Sequence, residues 1–300
     1  MRKLRKILVA LGISCMLLGG CNMSEDGVSI IDNLSVYSYD NAEKYTMGGT
    51  TLTDTVEKID INWIGGDVKV NYHSKDSVVF SEKCAQTLNE DNTLYYWLEN
   101  ETLHIMYGKS GKWDPSGLKK ELTVWLPEES ILSELNVDVT SANVVIDGIV
   151  ADEADFDSIS GDIELKQAKF SDSVEVDTTS GGLTAVLVGK LHEMDIDTIS
   201  GGMEVSAESI EAFDADSTSG DIKLTVSSVP DSVDVDTISG DAEMILPKEA
   251  EFTVELDSMS GTFESGFATR MNEKKYIVGD GSNRYKFDTT SGDVKIKMAE

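Results

Sequence analysis

The chain has 300 residues, of which 27% are charged, and its formal net charge at pH 7 is −30. Such a negative charge repels a phosphate backbone, so nucleic acid is not the expected partner, and cations, basic proteins or a need for solubility fit better. The three histidines, His73, His104 and His192, have no metal-ligand spacing, which argues against a histidine-based zinc site.

Residues 1–20 have the organisation of a signal peptide. Four basic residues precede the apolar run ILVALGISCMLL, which is short for a membrane span. The run ends in Leu18-Gly19-Gly20-Cys21, which resembles a bacterial lipobox and implies cleavage before a lipidated Cys21. We expect lipidation there, a tether over residues 21–27, an extracytoplasmic location and a mature net charge of −34. An ordinary signal peptide or an uncleaved anchor is the alternative.

Loss of the leader and lipidation of Cys21 would leave Cys84 as the remaining thiol, so no disulfide framework is expected within one chain. Cys84 is interpreted as a small buried hydrophobe.

Residues 28–129 alternate like β-strands without a regular repeat. The segment TVEKIDINWIGGDVKVNY contains a degenerate copy of the later repeat. The segment TLYYWLENETLHIMYG predicts a hairpin, and KELTVWLP predicts a strand. All four tryptophans lie here: Trp63, Trp97, Trp113 and Trp125. We interpret the region as an N-terminal cap with the first coils, because the ends of a solenoid must shield its core. The alternative is an aromatic platform that binds a glycan or a peptide.

Residues 130–300 repeat a phrase of the type VDTISGDAEM. Its serines are separated by 20, 20, 19, 20, 21 and 31 residues and are Ser160, Ser180, Ser200, Ser219, Ser239, Ser260 and Ser291. A constant period of this size predicts a solenoid, in which each repeat buries its apolar side against its neighbours. We expect an all-β, single-domain, right-handed β-solenoid with about 20 residues per coil.

Each phrase alternates between an inward and an outward face. Val176, Thr178 and Ser180 share one parity, and Gly181 and Gly182 interrupt it at a bend, where glycine reaches backbone angles that other residues avoid. Stacking should align inward hydroxyls, each able to donate to the next coil: Ser158, Thr178, Thr198, Ser217, Thr237, Ser258 and Thr289.

The outward positions should form acidic rows along the rod. The main row is Asp157, Asp177, Asp197, Asp216, Asp236, Asp257 and Asp288. A second row runs beside it through Asp155, Glu175, Asp195, Asp214, Asp234 and Glu255. Like charges on neighbouring strands repel, so either water, salt and turn hydrogen bonds absorb the repulsion or cations lie between the rows. The main row is therefore a candidate cation site, with calcium as the ligand, against a plain solvated face.

The last step of the repeat contains an insertion at about residues 262–287. A turn at residues 279–283 between YIV and RYKF predicts a protruding hairpin. It concentrates positive charge at candidate partner-contact residues, namely Arg270, Lys274, Lys275 and Arg284. Alternatively, the hairpin only covers the last coil.

Several phrases together resemble a known bacterial family. They are the lipobox, the strand LTVWLP, the repeated D-[ST]-x-S-G-D coils, the second LP phrase in MILPKEAEFTVELDSMSG and the final SGDVKI coil. In this combination the chain is similar to the adhesin-type β-strand-repeat lipoproteins of bacteria (domain of unknown function 4097 type) over about residues 59–298. The resemblance implies a β-helix-like fold at the cell surface and carries over no catalytic residue. Ala142, Gly182, Gly202 and Thr262 depart from the phrase, so no ligand is implied in every coil.

The aspartates recur in every coil, as a structural device would, whereas an active site breaks a repeat at one place. We therefore expect no enzyme and no firm cofactor, but a surface binding or scaffold module. Its expected partners are the membrane, through the lipid, and an envelope polymer, an envelope protein or a host surface. The alternative is a polysaccharide-active β-helix enzyme, a lyase or hydrolase, because paired acids split glycosidic bonds.

Overall fold

The computed structural model describes residues 37–112, 117–272 and 275–300, which are almost entirely β-strand. The first strands, after a 3-10 helix at Ala42–Lys44, are β1 Thr46–Met47, β2 Thr51–Leu52, β3 Lys58–His73, β4 Val78–Cys84, β5 Tyr95–Glu99, β6 Thr102–Met106 and β7 Lys120–Pro127. The central strands are β8 Leu132–Asp147, β9 Val150–Ser158, β10 Ile163–Thr178, β11 Leu183–Thr198, β12 Met203–Ser217, β13 Ile222–Val226, β14 Ser232–Thr237 and β15 Ala242–Leu246. The last strands are β16 Phe252–Ser258, β17 Phe263–Ser265, β18 Arg270–Asn272, β19 Lys275–Val278, β20 Asn283–Thr289 and β21 Val294–Met298. The predicted all-β solenoid is confirmed.

Successive coils stack as parallel strands in register. β10 pairs with β11 so that Ile163 lies beside Leu183 and Val176 beside Ile196. Alternation along each strand turns these side chains inward, and the described coils share one hydrophobic core. Each coil thus buries its apolar face only against its neighbours, which is why the 20-residue period is kept.

The spatial order of the coils differs from their order in the chain. β20, in the last coil of the sequence, pairs on one side with β14 and on the other with β16. The FDTTSGDVKI coil therefore lies between the VDTISGDAEM and LDSMSGTFES coils. At the other end, β3 lies between β8 and the pair β6 and β7 in the same manner.

Antiparallel strands cover both ends of the stack. At the N-terminal end, β5 pairs with β6, β4 with β7, β1 with β5 and β2 with β4. At the C-terminal end, β19 pairs antiparallel with β16 and with β18. An open edge strand presents unpaired backbone groups that recruit other chains, and these strands occupy the edges of the terminal coils.

The pairing predicted for the C-terminal insertion is wrong. YIV in β19 and RYKF in β20 do not form a hairpin with each other, because β16 lies between them. The antiparallel hairpin is instead β18 with β19. β19 pairs with β16 in the coil at the C-terminal end of the stack, where Val278 lies opposite Phe252 and both are buried, so the insertion covers that end coil.

The N-terminal end contains a buried lysine that sequence patterning did not reveal. Lys120 is fully buried, and its Nζ lies 2.6 Å from Glu82 Oε2 and donates to the Asn92 carbonyl at 2.8 Å. The same ammonium lies over the rings of Trp63, at 4.6 Å, and Tyr107, at 4.0 Å. Burial lowers the pKa of Lys120, and the charge of Glu82 opposes that shift. The group therefore joins three strands, β3, β4 and β7, at the end of the core.

Each Ser-Gly phrase requires glycine because the turns of neighbouring coils approach each other closely, and not because the backbone adopts an unusual angle. None of Gly161, Gly181 and Gly201 has a positive φ, which corrects the expectation based on unusual angles. A Cβ on Gly181 would lie 2.0 Å from the Gly161 carbonyl oxygen, and one on Gly201 would lie 1.8 Å from the Gly181 oxygen. Stacked turns thus touch backbone to backbone.

The inward hydroxyls close turns within their own coil. Six of them are buried, at 5–7% exposure, and Ser258 is partly buried. Thr178 Oγ1 donates to the Gly181 carbonyl at 2.9 Å, and Ser217 Oγ both donates to Gly220 O and accepts from Gly220 N at 2.8 Å. The expectation that they donate to the next coil is therefore wrong, since the i+3 turn atoms are nearer. The cross-coil bonds come from the outer serines, such as Ser180 Oγ to Ile159 O at 3.0 Å.

Candidate functional site

A groove of about 990 Å3 runs along one corner of the solenoid. We call it the acidic groove. One wall is a carboxylate row, in spatial order Asp138, Asp157, Asp177, Asp197, Asp216, Asp236, Asp288 and Asp257. The other wall is the corner row, which is the residue before each Ser of the repeat: Thr140, Ile159, Thr179, Ile199, Thr218, Ile238, Thr290 and Met259. The inward hydroxyls other than that of Ser258 lie at its floor.

The groove forms because the chain turns between the two walls. The aspartate is the last outward residue of a strand, the next residue is the buried Ser or Thr, and the following residue points outward again after the bend. Because the Ser-Gly phrase is repeated in each coil, the indentation between these two outward residues continues from coil to coil and forms the groove. The structure therefore brings together the whole main row that the sequence predicted.

The carboxylates of neighbouring coils lie side by side. Asp177 is in register with Asp157 on one strand and with Asp197 on the other. Parallel strands are about 4.8 Å apart, so equivalent side chains recur along the groove at that spacing. The second acidic row keeps the same register, with Glu175 beside Asp195.

One end of the groove holds a pair of coupled carboxyls. Burial, together with the hydrogen bond to Asp138 and its charge, raises the pKa of Asp157 to about 7. Burial also raises the pKa of Asp138, against the effect of the hydrogen bond between the two. Two half-buried acids this close share a proton, since both cannot ionise at low cost.

This pair makes stability depend on pH. Asp157 has its pKa raised above that of an unfolded aspartate, ~3.9, so the folded state keeps a proton that the unfolded state loses. The contribution of protonated Asp157 to the free energy of unfolding is full at low pH and is lost as the pH rises from about 4 towards 7. Asp157→Asn should therefore gain about 1–2 kcal/mol over the wild type at pH 8 and little at pH 4, as measured by urea unfolding. Asp138→Asn should behave alike, and a variant no different from the wild type at pH 8 would contradict the shared proton.

At the other end, a lysine of the chain enters the carboxylate row. Lys286 Nζ lies 2.6 Å from Asp288, 3.1 Å from Asp234 and 3.2 Å from Asp236. Partial burial lowers the pKa of Lys286, but hydrogen bonds to these three carboxylates outweigh it and raise the pKa. One ammonium thus bridges acids of two neighbouring coils. Lys286 was not among the predicted site residues, although RYKFDTT places it where other coils have an acid of the second row.

The aspartates that follow the Ser-Gly pair have another role. Asp162 Oδ1 accepts from Gly182 N at 2.9 Å, and Asp241 Oδ1 accepts from Asp293 N at 2.9 Å. Asp293 Oδ1 accepts from both the backbone and the hydroxyl of Thr262 at 2.8 Å. Each carboxylate caps a backbone donor of the next coil, so these residues hold the turns together.

The predicted partner-contact residues that the structure describes, Arg270, Lys275 and Arg284, are not among the residues that line the groove. Lys275 Nζ lies 2.5 Å from Glu255 Oε1, and Arg284 lies 3.4 Å from the same oxygen. Arg270 is on β18 and donates to the Gly279 carbonyl at 3.4 Å. Lys274 and Cys21 lie outside the described residues. The structure thus brings Lys275 and Arg284 together and leaves Arg270 apart.

The alternative sites lose part of their support. Trp63 is 1% exposed in the core, so it does not belong to an open platform with Trp97, whose ring stacks on His104 with centroids 5.6 Å apart. Trp113 lies outside the described residues. Where the chain is described, no three His, Cys, Asp or Glu side chains converge in a way that could hold a metal ion. The same part of the chain has no helix long and apolar enough to cross a membrane.

Solved structures of bacterial proteins are similar to this chain at low identity. A "putative lipid binding protein" from Parabacteroides distasonis is 16% identical, over 84% of this chain and 96% of that one, with a TM-score of 0.49. A "putative adhesin" from the same organism is 17% identical, over 85% and 97%, with a TM-score of 0.42. A "putative adhesin" from Bacteroides fragilis is 14% identical, over 86% and 98%, with a TM-score of 0.32.

Sequence comparisons place the solenoid in one family. No curated protein matches the chain significantly. The family model described as Toastrack DUF4097 matches residues 49–297, from the antiparallel strands of the N-terminal end to the last coil. The chain therefore belongs to the Toastrack DUF4097 family.

Proposed function

We propose that this protein is a non-catalytic cell-envelope lipoprotein that displays the acidic groove as a surface binding module. The observation that carries the proposal is the uninterrupted carboxylate row, which stays in register over eight coils beside an outward-facing corner row. A surface repeated in this way suits a long or multivalent partner, because each coil adds the same contact. The similarity to proteins designated adhesins agrees with this function and carries none of its weight.

The location rests on the N-terminal motif. Leu18-Gly19-Gly20-Cys21 follows a basic start and an apolar run, which supports a lipid anchor at Cys21 and an extracytoplasmic location. The partner is then an envelope polymer, an envelope protein or a host surface.

At the coupled pair Asp138 and Asp157 the environment of two carboxyls departs from the repeat, and this is the observation that favours the polysaccharide-active alternative. Glycosidases hold their two carboxyls about 5 Å or more apart, so that a sugar fits between them. Asp138 and Asp157 are hydrogen-bonded to each other, which requires oxygens within about 3 Å. Their spacing therefore supports a structural pair better than a catalytic one.

Co-sedimentation with the organism's own cell-wall fraction tests the proposal. Residues 22–300 should sediment with the wall, and Asp177→Asn/Asp197→Asn should weaken binding about tenfold, because two adjacent charges of the groove are lost. Glu164→Gln/Glu204→Gln is the matched control, since it removes the same charge at exposed acids outside the groove. Binding that disappears with a chelator would assign calcium to the row, whereas equal loss in both variants would refute the groove as the binding face.

Pairs of aspartates in other coils separate binding from catalysis. Mild, similar effects from coil to coil are expected of a repeated surface. Loss of a polysaccharide-cleaving activity on changing one coil alone would establish the enzyme instead.

A further inference from the structure

The corner row of the acidic groove alternates strictly between hydroxyl and apolar side chains, but only in spatial order. The order along the rod is Thr140, Ile159, Thr179, Ile199, Thr218, Ile238, Thr290 and Met259. In chain order Met259 would follow Ile238 directly. The coil of β20 lies between the coils of Ile238 and Met259, so Thr290 separates these two residues. One apolar group is thereby kept at every second coil.

Three of these four apolar groups are open to solvent, with Ile199 43% exposed, Ile238 55% and Met259 84%, whereas Ile159 is half-buried. They account for three of the eight large exposed hydrophobic residues in the described part of the chain, and they lie in one line. Because strands stack about 4.8 Å apart, the apolar groups recur at roughly 9.6 Å.

The carboxylate row, which forms the opposite wall of the groove, binds a cation of this chain. Lys286 places an alkylammonium among Asp234, Asp236 and Asp288 with contacts of 2.6–3.2 Å. The same chain therefore contains an example of a primary amine bound by the carboxylates of two coils. The remaining coils place carboxylates of both rows in the same backbone register, so lysine or arginine side chains of a partner would meet carboxylates of two neighbouring coils.

The length of the groove restricts the backbone of the partner. From Asn62 to Asp257 the groove crosses nine coils, or roughly 38 Å at the strand spacing. In an α-helix, side chains on one face recur about every 5.4 Å, which does not match the two-coil period of the apolar groups. A partner that contacts every coil is therefore an extended chain lying along the groove.

The apolar period selects one extended conformation. A polyproline II helix has three residues per turn and rises ~3.1 Å per residue, so equivalent side chains recur every ~9.3 Å. In a β-strand, side chains on one face recur every ~6.8 Å, out of step with two coils. The two-coil period of roughly 9.6 Å therefore matches the turn of a polyproline II helix and not that of a strand.

We propose that the acidic groove binds an extended, basic, proline-rich segment of another envelope protein in the polyproline II conformation. Within each turn, one side chain packs between the apolar groups of the corner row, and a second, basic one reaches the carboxylate row. The third position, open to solvent, accepts proline or a polar residue. A segment of about twelve residues, ~37 Å long, fills the groove. This inference names the ligand class of the proposed function and rests on it.

Synthetic peptides test the register directly. The full-length chain in non-ionic detergent is titrated by fluorescence anisotropy with a labelled (Pro-Lys-Ile)4 peptide. A second peptide has the same composition, but its Lys and Ile do not recur at every third position. We expect the periodic peptide to bind at least tenfold more tightly than the scrambled one. Equal affinities would show charge attraction without register and would overturn the proposal.

Variants locate the binding. Ile199→Ser/Ile238→Ser should weaken binding of the periodic peptide about tenfold and leave binding of (Pro-Lys-Ser)4 unchanged. Val186→Ser/Met271→Ser, which changes two exposed apolar residues outside the groove, should change neither. Thermal unfolding by circular dichroism confirms that each variant is folded. A groove variant that binds like the wild type would overturn the proposal.

The outcomes separate this inference from the proposed function. If the wall fraction binds through Asp177 and Asp197 while no peptide shows register, the binding module stands and its ligand is of another class. Competition by a cationic aminosugar polymer, but not by the periodic peptide, would identify that class as a glycan. If neither the wall fraction nor any peptide depends on groove residues, both proposals fail.

Discussion

Replacing Gly201 with alanine is expected to lower the free energy of unfolding by about 3 kcal/mol or more. The added Cβ would lie 1.8 Å from the Gly181 carbonyl oxygen and 2.7 Å from its carbon, so two stacked turns must separate. Separation would also strain the buried bonds between Thr198 and Gly201 in the same turn. For a chain of this size, such a loss corresponds to a fall of roughly 6–12 °C in Tm, measurable by circular dichroism.

The next residue supplies the matched control. Gly202 has an ordinary φ, and a Cβ there meets nothing nearer than the Asp221 carbonyl oxygen at 4.0 Å. Gly202→Ala should therefore be neutral or stabilise by a few tenths of a kcal/mol, because alanine restricts the unfolded chain. Similar losses in the two variants would mean that the turns are not in contact at Gly201.

Replacing Lys120 with methionine is expected to cost about 3–5 kcal/mol. The side chain would still fill the space between Trp63 and Tyr107, but the carboxylate of Glu82, only 7% exposed, would be left without its cation. An uncompensated buried charge is far more costly than the loss of a surface ion pair. Urea unfolding followed by tryptophan fluorescence measures the change, since Trp63 reports on this end of the core.

A second substitution should restore most of that stability. Glu82→Gln in the Lys120→Met background removes the charge, and its side-chain oxygen can still accept from Leu94 N, which donates to Glu82 at 2.7 Å. Lys69→Met is the surface control, because its ion pair with Glu121 at 2.8 Å is about a third exposed and should contribute at most about 1 kcal/mol. A double variant no more stable than Lys120→Met would show that lost packing, and not the stranded charge, causes the effect.

The two effects differ in kind, and each tests a different part of the fold. Gly201 belongs to a contact that recurs in the central coils, so its loss measures the interface between neighbouring repeats. Lys120 occurs once and fastens β7 to β3 and β4, so its loss measures how firmly the N-terminal end is closed. A solenoid needs both stable contacts between coils and closed ends, because the outermost strand of a stack exposes an unpaired edge.

The class of fold and the carboxylate row of the groove follow from the amino-acid sequence alone. A phrase repeated every 20 residues can bury its alternate apolar side chains only by stacking like upon like, so Asp177 must lie between Asp157 and Asp197. The same logic placed the hydroxyls inward, because they share the parity of Val176 and Ile196. These conclusions need only the period and the two-residue repeat of a strand.

The order of the coils and the details of the turns depend on how whole coils pack against one another. Near-identical coils can stack in more than one order, and the 31-residue step before Ser291 permits return to an earlier coil without specifying it. The burial of Lys120, the bridge made by Lys286 and the contact at Gly201 depend on atoms far apart in sequence. Local pattern states which face a residue occupies, whereas its partner across the stack is set by the packing of whole coils, which no local pattern contains.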